Sequence, residues 1–235
     1  SIPSSVTIIG AYAFYNASNI TTISFEEGSQ LISIGAYSFS YSTSLTSIII
    51  PSGVIEMGER AFYNNATSLI IYAEISTKPE GWDSDWNTFN LAVVWGYKET
   101  VDDGTMKYAV SSNNSISIIG LSDSAITGTD LVIPSYINGI EVIEIVNYAF
   151  FYEDRLSSIV VPSNVKNIGV SAFANATSLT TVTFDEGSQL TSIGASAFEN
   201  ATSLTSIVIP AGVTNIDYDT FSGAVSLETV TFEEN

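Results

Sequence analysis

The side chains that carry most enzyme chemistry are missing from this sequence. Among its 235 residues there is no histidine and no cysteine, which removes the commonest general base, the usual catalytic triads and the usual zinc ligands. Carboxylate pairs remain, and a pair at a suitable separation could hydrolyse a glycosidic bond. The candidates are Glu26/Glu27, Asp185/Glu186 and Asp217/Asp219. Because the first two pairs recur at one repeated turn position, we interpret them as solvated turn residues and expect no catalytic residue and no enzyme activity.

One segment resembles the start of a calcium-binding loop. Residues Asp83, Asp85 and Asn87 alternate as the oxygen ligands of an EF-hand do. The match fails at the sixth position, where Thr88 replaces Gly, and at the twelfth, where Val94 replaces Glu. We therefore predict a structural loop, and we expect neither a metal site nor a cofactor.

Asparagine and tryptophan offer two further candidate sites. Six asparagines satisfy the glycosylation pattern, and most follow a recurring Phe, where an Asn side chain can stabilise a turn: Asn16, Asn19, Asn65, Asn113, Asn175 and Asn200. We interpret them as structural. All three tryptophans (Trp82, Trp86 and Trp95) lie together in an irregular stretch. They could cradle a sugar beside the nearby Asp residues, but an apolar cap is the simpler interpretation, so a carbohydrate-binding module stays an alternative.

Composition excludes several classes of partner. The chain has 25 acidic and six basic residues, with a net charge of −19, so it would repel nucleic acid. Its residues are 45% apolar, enough for a sizeable core, but they occur in runs too short to span a membrane. Without cysteine no disulfide framework is available.

The elements that must position these residues come from a short repeat. The pattern Leu-x-x-Ile-x-Val/Ile-Pro-x-x-Val-x-x-Ile, with Phe five residues later, begins at Leu156 and again at Leu204. Coils that replace the Pro step by Phe-Asp/Glu-Glu-Gly-Ser-Gln are two residues longer. Seven phenylalanines mark the same position: Phe14, Phe39, Phe62, Phe150, Phe173, Phe198 and Phe221.

The sequence also contains a longer internal duplication, each copy of which holds several of these short repeats. Phe14 and Phe173, Phe39 and Phe198, and Phe62 and Phe221 each differ by 159 positions. The chain is therefore one module followed by most of a second. Such repeats cannot bury an apolar face alone, so neighbouring coils must stack.

Each coil predicts a short half-buried strand that ends at Pro or Phe, then a second extended piece, then one tight helical turn before the repeated Phe. The pattern LxxIxIPxxVxxIGxxAFxxxxS resembles the BspA-like, Treponema-pallidum-type leucine-rich repeat, over roughly residues 1–72 and 128–235. That resemblance implies a right-handed solenoid of the α/β horseshoe class. It also implies a bacterial protein that is secreted or displayed on the cell surface and functions in adhesion or host-protein binding.

The repeat period breaks between residues 70 and 129. We predict that residues 1–98 form one leucine-rich-repeat block ending in a Trp-rich cap. Residues 99–235 are predicted to form a hairpin N-terminal cap, from two alternating strands joined at Ser111-Ser112-Asn113-Asn114, followed by a second block. Because the repeat is interrupted at both ends of the sequence, we expect a longer parent protein whose second block continues and whose signal peptide and anchor lie elsewhere.

The main candidate for a protein-binding surface is the strand face opposite the core. If the first, fourth and sixth positions of each strand point inward, the third and fifth point outward and form a surface of small, uncharged residues on an acidic protein. These residues are Thr22, Ser24, Ser47, Ile49, Ser158, Val160, Thr181, Thr183, Ser206, Val208, Thr229 and Thr231. We predict that this face docks a protein partner, such as an extracellular-matrix or host-surface protein. The alternative is a structural spacer whose strand face binds nothing.

Overall fold

The computed structural model describes residues 1–234 and contains two compact units, Ser1–Lys98 and Glu99–Asn235. Each unit is built from coils that place one strand on each of two parallel ladders. The strands of unit 1 are β1 (Ile8–Ile9), β2 (Thr22–Ile23), β3 (Ser33–Ile34), β4 (Ser47–Ile50), β5 (Glu56–Met57), β6 (Ile70–Ala73) and β7 (Ala92–Trp95). Strands β2, β4, β6 and β7 form the main sheet in that order, and β1, β3 and β5 form the second.

Unit 2 repeats this plan and adds a hairpin. Its strands are β8 (Tyr97–Asp102, which begins at the end of unit 1), β9 (Met106–Ser111), β10 (Ser115–Leu121), β11 (Thr129–Val132), β12 (Tyr136–Ile137), β13 (Ile140–Ile145), β14 (Leu156–Val161), β15 (Asn167–Ile168), β16 (Thr181–Phe184), β17 (Ser192–Ile193), β18 (Ser206–Ile209) and β19 (Thr229–Phe232). The main sheet runs β11-β14-β16-β18-β19 with parallel pairing. The second sheet runs β17-β15-β13-β10-β9-β8, and β12 pairs with β13.

The main-sheet strands follow from the alternation of apolar residues. In β18, Ile207 and Ile209 are buried while Ser206 and Val208 are exposed, and the strand ends immediately before Pro210, which has no N–H to donate to a neighbour. Parallel pairing of equivalent strands then aligns the buried residues of successive coils. The predicted stacked solenoid with short half-buried strands is confirmed.

The repeated phenylalanines form a stacked column in each unit. Neighbouring rings lie 5.2 to 5.5 Å apart between centroids, with interplanar angles of 0° to 11°. Five of the seven rings are fully buried, whereas Phe14 and Phe221 are only partly buried at the outermost positions of their columns. The prediction that each repeated Phe packs in the core therefore holds in full for the inner positions.

The predicted helical turn before each Phe is wrong, because residues 1–234 contain no helix. Around Phe39, the amides of Tyr37, Phe39 and Tyr41 donate to carbonyls of the next coil at 2.9 to 3.1 Å. The amides between them close four-residue turns instead, as the Ser40 N–H does by donating to the Tyr37 carbonyl at 3.2 Å. Alternate amides thus bind the neighbouring coil, which leaves no set of hydrogen bonds for a helix.

Left-handed residues produce this alternation. The residues two before and two after each repeated Phe have φ between 51° and 72°; these pairs are Tyr12/Asn16, Tyr37/Tyr41, Arg60/Asn64, Tyr148/Tyr152, Ser171/Asn175, Ser196/Asn200 and Asp219/Gly223. Asn and Gly tolerate this region, but tyrosine does so at a cost. In unit 1 the Tyr12 and Tyr37 rings stack at 5.1 Å and the Arg60 guanidinium lies 6.0 Å from the Tyr37 centroid, which offsets part of that cost.

The interruption of the repeat contains an aromatic cluster and a hairpin. The ring centroid of Trp82 lies 4.8 Å from that of Trp86 and 5.5 Å from that of Trp95. The Trp82 indole N–H donates to the Val54 carbonyl at 3.2 Å. Trp86 also meets Phe62 edge-on at 6.2 Å. In unit 2, β9 and β10 pair antiparallel on either side of a turn in which Asn114 is left-handed. That these two features cap their blocks stays a prediction.

Truncating an inner column residue should destabilise its unit. Phe173→Ala removes a fully buried ring that stacks between Phe150 and Phe198, so we expect a loss of about 3–5 kcal/mol in the free energy of unfolding. Urea denaturation followed by circular dichroism measures it. Phe221→Ala, at the partly buried position, is the matched control and should lose less; equal losses would contradict the importance of the column.

The left-handed turn positions can be tested at Asn16, which is exposed and has φ of 57°. Asn16→Val should lose about 1–2 kcal/mol of stability, because a β-branched side chain clashes in this region. Asn16→Gly should be neutral or slightly stabilising, since glycine adopts the conformation without strain. Thermal unfolding of both variants decides the point, and an equal response to Val and Gly would show that the turn is not strained.

Candidate binding face

The residues of the predicted binding face lie on the main sheet of each unit. Nine of them are exposed: Thr22, Ser24, Ile49, Thr181, Thr183, Ser206, Val208, Thr229 and Thr231. Three are half-buried: Ser47, Ser158 and Val160. Four belong to unit 1 and eight to unit 2, so the chain carries two patches of one kind.

Strand register aligns these residues across neighbouring coils. In unit 2, Ser158 is the partner of Thr181, Thr181 of Ser206, and Ser206 of Thr229. A second row pairs Val160 with Thr183. On the coil that follows Thr183, Val208 continues this row and pairs with Thr231. In unit 1, Thr22 is the partner of Ser47. Small side chains in rows leave the sheet surface accessible over several strands.

Each patch contains a groove. In unit 1 a groove of about 360 Å³ is lined by Thr22, Ser24, Ser47 and Ile49 of the face, with Phe25, Ser52, the turn Glu26–Ser29 and Glu74 around it. In unit 2 a groove of about 330 Å³ is lined by Thr181, Thr183, Phe184, Ser206, Val208 and Glu233, with the backbone of the two strands between them. Both floors mix hydroxyl groups with one exposed aliphatic side chain, Ile49 at 39% and Val208 at 50% exposure.

Sequence reasoning missed several residues of these surfaces. Strand β11 extends the unit 2 face, since Asp130 pairs with Ser158 and Val132 with Val160, and Ser158 donates to the Asp130 carboxylate at 2.6 Å. The signal was present, because Leu131-Val132-Ile133-Pro134 repeats the strand-and-Pro pattern. Glu74 and Glu233 were also missed, because they enter the grooves only when strands two coils apart are aligned.

The other candidate sites are structural or solvated. The Asp83 carboxylate accepts from the Asp85 amide at 2.8 Å, and the Asn87 side chain both accepts from the Leu91 amide and donates to the Leu91 carbonyl at 3.0 Å. These side chains are therefore hydrogen-bonded within their own loop. Within residues 1–234 no cluster of three or more candidate ligands could hold a metal ion.

The tryptophans and asparagines fill packing roles. Trp82 and Trp86 are only 2% and 5% exposed, so neither ring offers a face to a sugar, whereas Trp95 is half-buried; a carbohydrate site stays an alternative. Asn65 donates to the carbonyls of Phe39 and Phe62 at 3.0 Å each. Asn200 donates to Asn175 in the preceding coil at 3.2 Å, so these asparagines stabilise the stacked turns.

The acidic pairs of the turns remain exposed. Glu26 accepts from the Ser4 amide and Glu74 from the Ser52 amide, both at 3.0 Å. The two ion pairs of the described chain, Lys107–Asp123 and Arg155–Glu153, do not involve the groove carboxylates. The grooves therefore have a negative rim that no cation of residues 1–234 neutralises.

One half-buried carboxyl group, that of Glu144, lies away from either groove. Glu144 lies beside Ser117 on β10 and Asn167 on β15, and the Ser117 hydroxyl donates to it at 2.5 Å. Burial raises the pKa of Glu144, and the Ser117 hydrogen bond offsets part of that rise. Because burial outweighs this hydrogen bond, the charged form of Glu144 costs stability in the folded chain.

The stacked coils, each with a main-sheet strand on one side and a turn centred on Phe on the other, define a leucine-rich-repeat solenoid. The model of the BspA type leucine rich repeat region matches residues 1–80 and 129–235 in six copies. The chain belongs to this family, which confirms the resemblance seen in the sequence.

Solved structures agree with this assignment. The chain is similar to a leucine-rich repeat protein from Bacteroides capillosus, with 29% identity and a TM-score of 0.51 over 58% of this chain and 100% of that one. The pneumococcal vaccine antigen PcpA shares the fold at 22% identity and a TM-score of 0.56, over 98% of this chain; the match spans 61% of the antigen. No curated protein matches the chain. No helix of residues 1–234 is long and apolar enough to cross a membrane.

Removing the charge of Glu144 should stabilise unit 2 in a pH-dependent way. The folded-state pKa of Glu144 is raised above its ordinary pKa of 4.5. The stability that the protonated form provides is therefore complete below pH 4.5, and it is lost as the pH rises through the folded-state pKa. Glu144→Gln mimics the protonated form, so its Tm should exceed that of the unmodified chain at neutral pH, and the difference should vanish below pH 4.5. Thermal scans across this range measure it, with the exposed Glu99→Gln as control. A pH-independent difference would contradict the mechanism.

Proposed function

We propose that this chain is a non-enzymatic module of a secreted or surface-displayed bacterial protein, and that it mediates adhesion by binding a protein partner on its main-sheet faces. The observation that carries the proposal is the pair of exposed, groove-bearing patches of small uncharged residues on an otherwise acidic chain. Surface display and adhesion are what membership of the BspA type family suggests. Host-surface and extracellular-matrix proteins are the partner class that fits.

The patches suit a protein partner because their exposed backbone and side chains are arranged in regular rows. Thr and Ser hydroxyl groups can donate to and accept from a partner, and Ile49 and Val208 supply apolar contact. Apart from Phe25 and Phe184 at the strand ends, the exposed side chains of the groove strands are small or aliphatic, so an inserted segment meets little steric resistance. Rigid stacked coils also hold the surface in place before binding, which lowers the entropic cost of association.

A spacer role is the second candidate, and the backbone hydrogen bonds between coils favour it. Alternate turn amides, such as those of Tyr37, Phe39 and Tyr41, bind the next coil directly. Each unit is therefore stiffened on both sides, as a stalk requires. A spacer needs no partner on the sheet face, which separates the two functions experimentally.

Blocking both patches tests the binding role. The variant Ser24→Arg/Ile49→Arg/Thr183→Arg/Val208→Arg places long charged side chains in both grooves, while the control Thr43→Arg/Ser44→Arg/Asn215→Arg/Ser226→Arg adds the same charge at exposed positions elsewhere. Binding to a panel of immobilised extracellular-matrix proteins is measured by surface plasmon resonance. We expect the patch variant to lose at least roughly tenfold in affinity, and the control to retain it, since only the first obstructs the groove floors.

Circular dichroism should show both variants folded. Equal binding by the patch variant and the unmodified chain would exclude the sheet faces as the binding site. Absence of binding by any form of the chain to the panel would favour the spacer role.

A further inference from the structure

We infer that the two grooves are copies of one binding site, and that their occupant is an extended, positively charged segment of a protein partner. This inference rests on the proposed function, since it names the chemistry of what the sheet faces bind. It is carried by the groove geometry, by the recurrence of the grooves at equivalent positions, and by the sign of the charges at their rims.

All eight lining residues of the unit 2 groove have counterparts 159 positions earlier in the lining of the unit 1 groove, whereas the turn Glu26–Ser29 lines the unit 1 groove only. Shifting the unit 1 lining by 159 positions converts Thr22, Ser24, Phe25, Ser47, Ile49 and Glu74 into Thr181, Thr183, Phe184, Ser206, Val208 and Glu233. The substitutions are conservative: Ser becomes Thr and Ile becomes Val. By contrast, the loop side of the same coils diverges, where Tyr12, Tyr37 and Tyr41 become Ser171, Ser196 and Asn200. The groove side therefore keeps its chemistry, while these loop-side tyrosines are replaced by smaller polar residues.

Carboxylates stand at the same edge of both grooves. Glu26 and Glu74 come after the main-sheet strands of their coils. Their backbone amides donate to the carbonyls of Ile2 and Ile50 in the preceding coils, at 3.0 and 3.1 Å. Asp185 and Glu233 occupy the equivalent places, with amides that donate to Val161 and Ile209 at 3.0 and 2.9 Å. We call these four residues the edge carboxylates. Within each unit the two are separated by two coils, or about 10 Å along the edge at the usual strand spacing.

Charge complementarity selects the occupant. The edge carboxylates are exposed and have no ion-pair partner within residues 1–234, and the whole chain carries a net charge of −19. An acidic segment would be repelled, whereas Lys or Arg side chains would meet the rim. The groove floor lacks charge and offers Thr, Ser and one aliphatic side chain, so the small or apolar residues of the segment rest there. An extended segment can cross the strands along these rows and direct alternate side chains to the groove floor and to the rim.

The probe is a labelled, end-capped nonapeptide that alternates Lys and Thr, with a nonapeptide that alternates Gln and Thr as its uncharged counterpart. Fluorescence anisotropy measures the affinity for the complete chain at low and high salt. The test variant Glu26→Gln/Glu74→Gln/Asp185→Asn/Glu233→Gln removes the edge carboxylates but keeps a hydrogen-bond acceptor at each position. The control Glu59→Gln/Glu80→Gln/Glu99→Gln/Glu228→Gln removes the same charge from other exposed positions.

We expect the Lys peptide to bind the unmodified chain and the control variant similarly, and to bind the edge variant roughly three- to tenfold more weakly, as for exposed ion pairs. High salt should reduce this difference, and the Gln peptide should bind weakly throughout. Equal weakening in both variants would overturn the inference, because it would assign the attraction to net charge alone. Unchanged binding by the edge variant would overturn it as well.

The patch-blocking Arg variant separates this inference from the proposed function. If that variant captures matrix proteins as the unmodified chain does, the faces are not the binding site and both proposals fail. If it loses capture while the edge variant keeps both capture and peptide affinity, the faces bind a partner but the occupant is not a cationic segment. Loss of both activities in both variants supports the two proposals together.

Discussion

The structure depends on one constraint: a single coil has no interior of its own. Its strand buries apolar residues on one face only, and its Phe ring has both faces free unless a neighbouring coil covers them. Stacking satisfies both requirements, since Phe39 and Phe173 are fully buried between the rings above and below. The backbone follows the same rule, because main-sheet strands and alternate turn amides bind the next coil. Stability is consequently a property of contacts between neighbours rather than of any one repeat.

This constraint divides the coil into sides with different freedom. The inward side must supply aliphatic residues and Phe at fixed positions, and the turn side must supply residues that accept a left-handed backbone. Neither requirement applies to the outward positions of the main sheet. They can change without affecting the core, so fold alone does not determine what they bind. Their preservation across the internal duplication is therefore more informative than their presence in one coil.

Much of the fold could be predicted from spacing, and the failures have physical causes. Alternation in Leu204–Ile209 indicated a half-buried strand, and the spacing of the seven phenylalanines indicated a stacked column; the structure shows both. The helical turn was wrong because residues such as Ser171 and Tyr37 give no sequence signal for a left-handed backbone. The outward residues followed from strand alternation, but the approach of Glu74 and Glu233 to the grooves did not. That approach depends on register between coils, which a pattern within one coil does not contain.

The longer coils have their two extra residues at the edge of the main sheet. Those with Phe25 or Phe184 at the end of the strand make a longer turn, Glu26–Gln30 or Asp185–Gln189, where the others turn at Pro51 or Pro210. The turns around Phe vary by one residue at most, since Phe39 and Phe198 lie six positions before the next Leu and Phe62 lies seven positions before Leu69. The larger length variation therefore lies at the edge that borders the grooves. Evolution can lengthen, shorten or recharge this rim and so change ligand preference in a single insertion or deletion event, while the folding determinants of every coil remain in register.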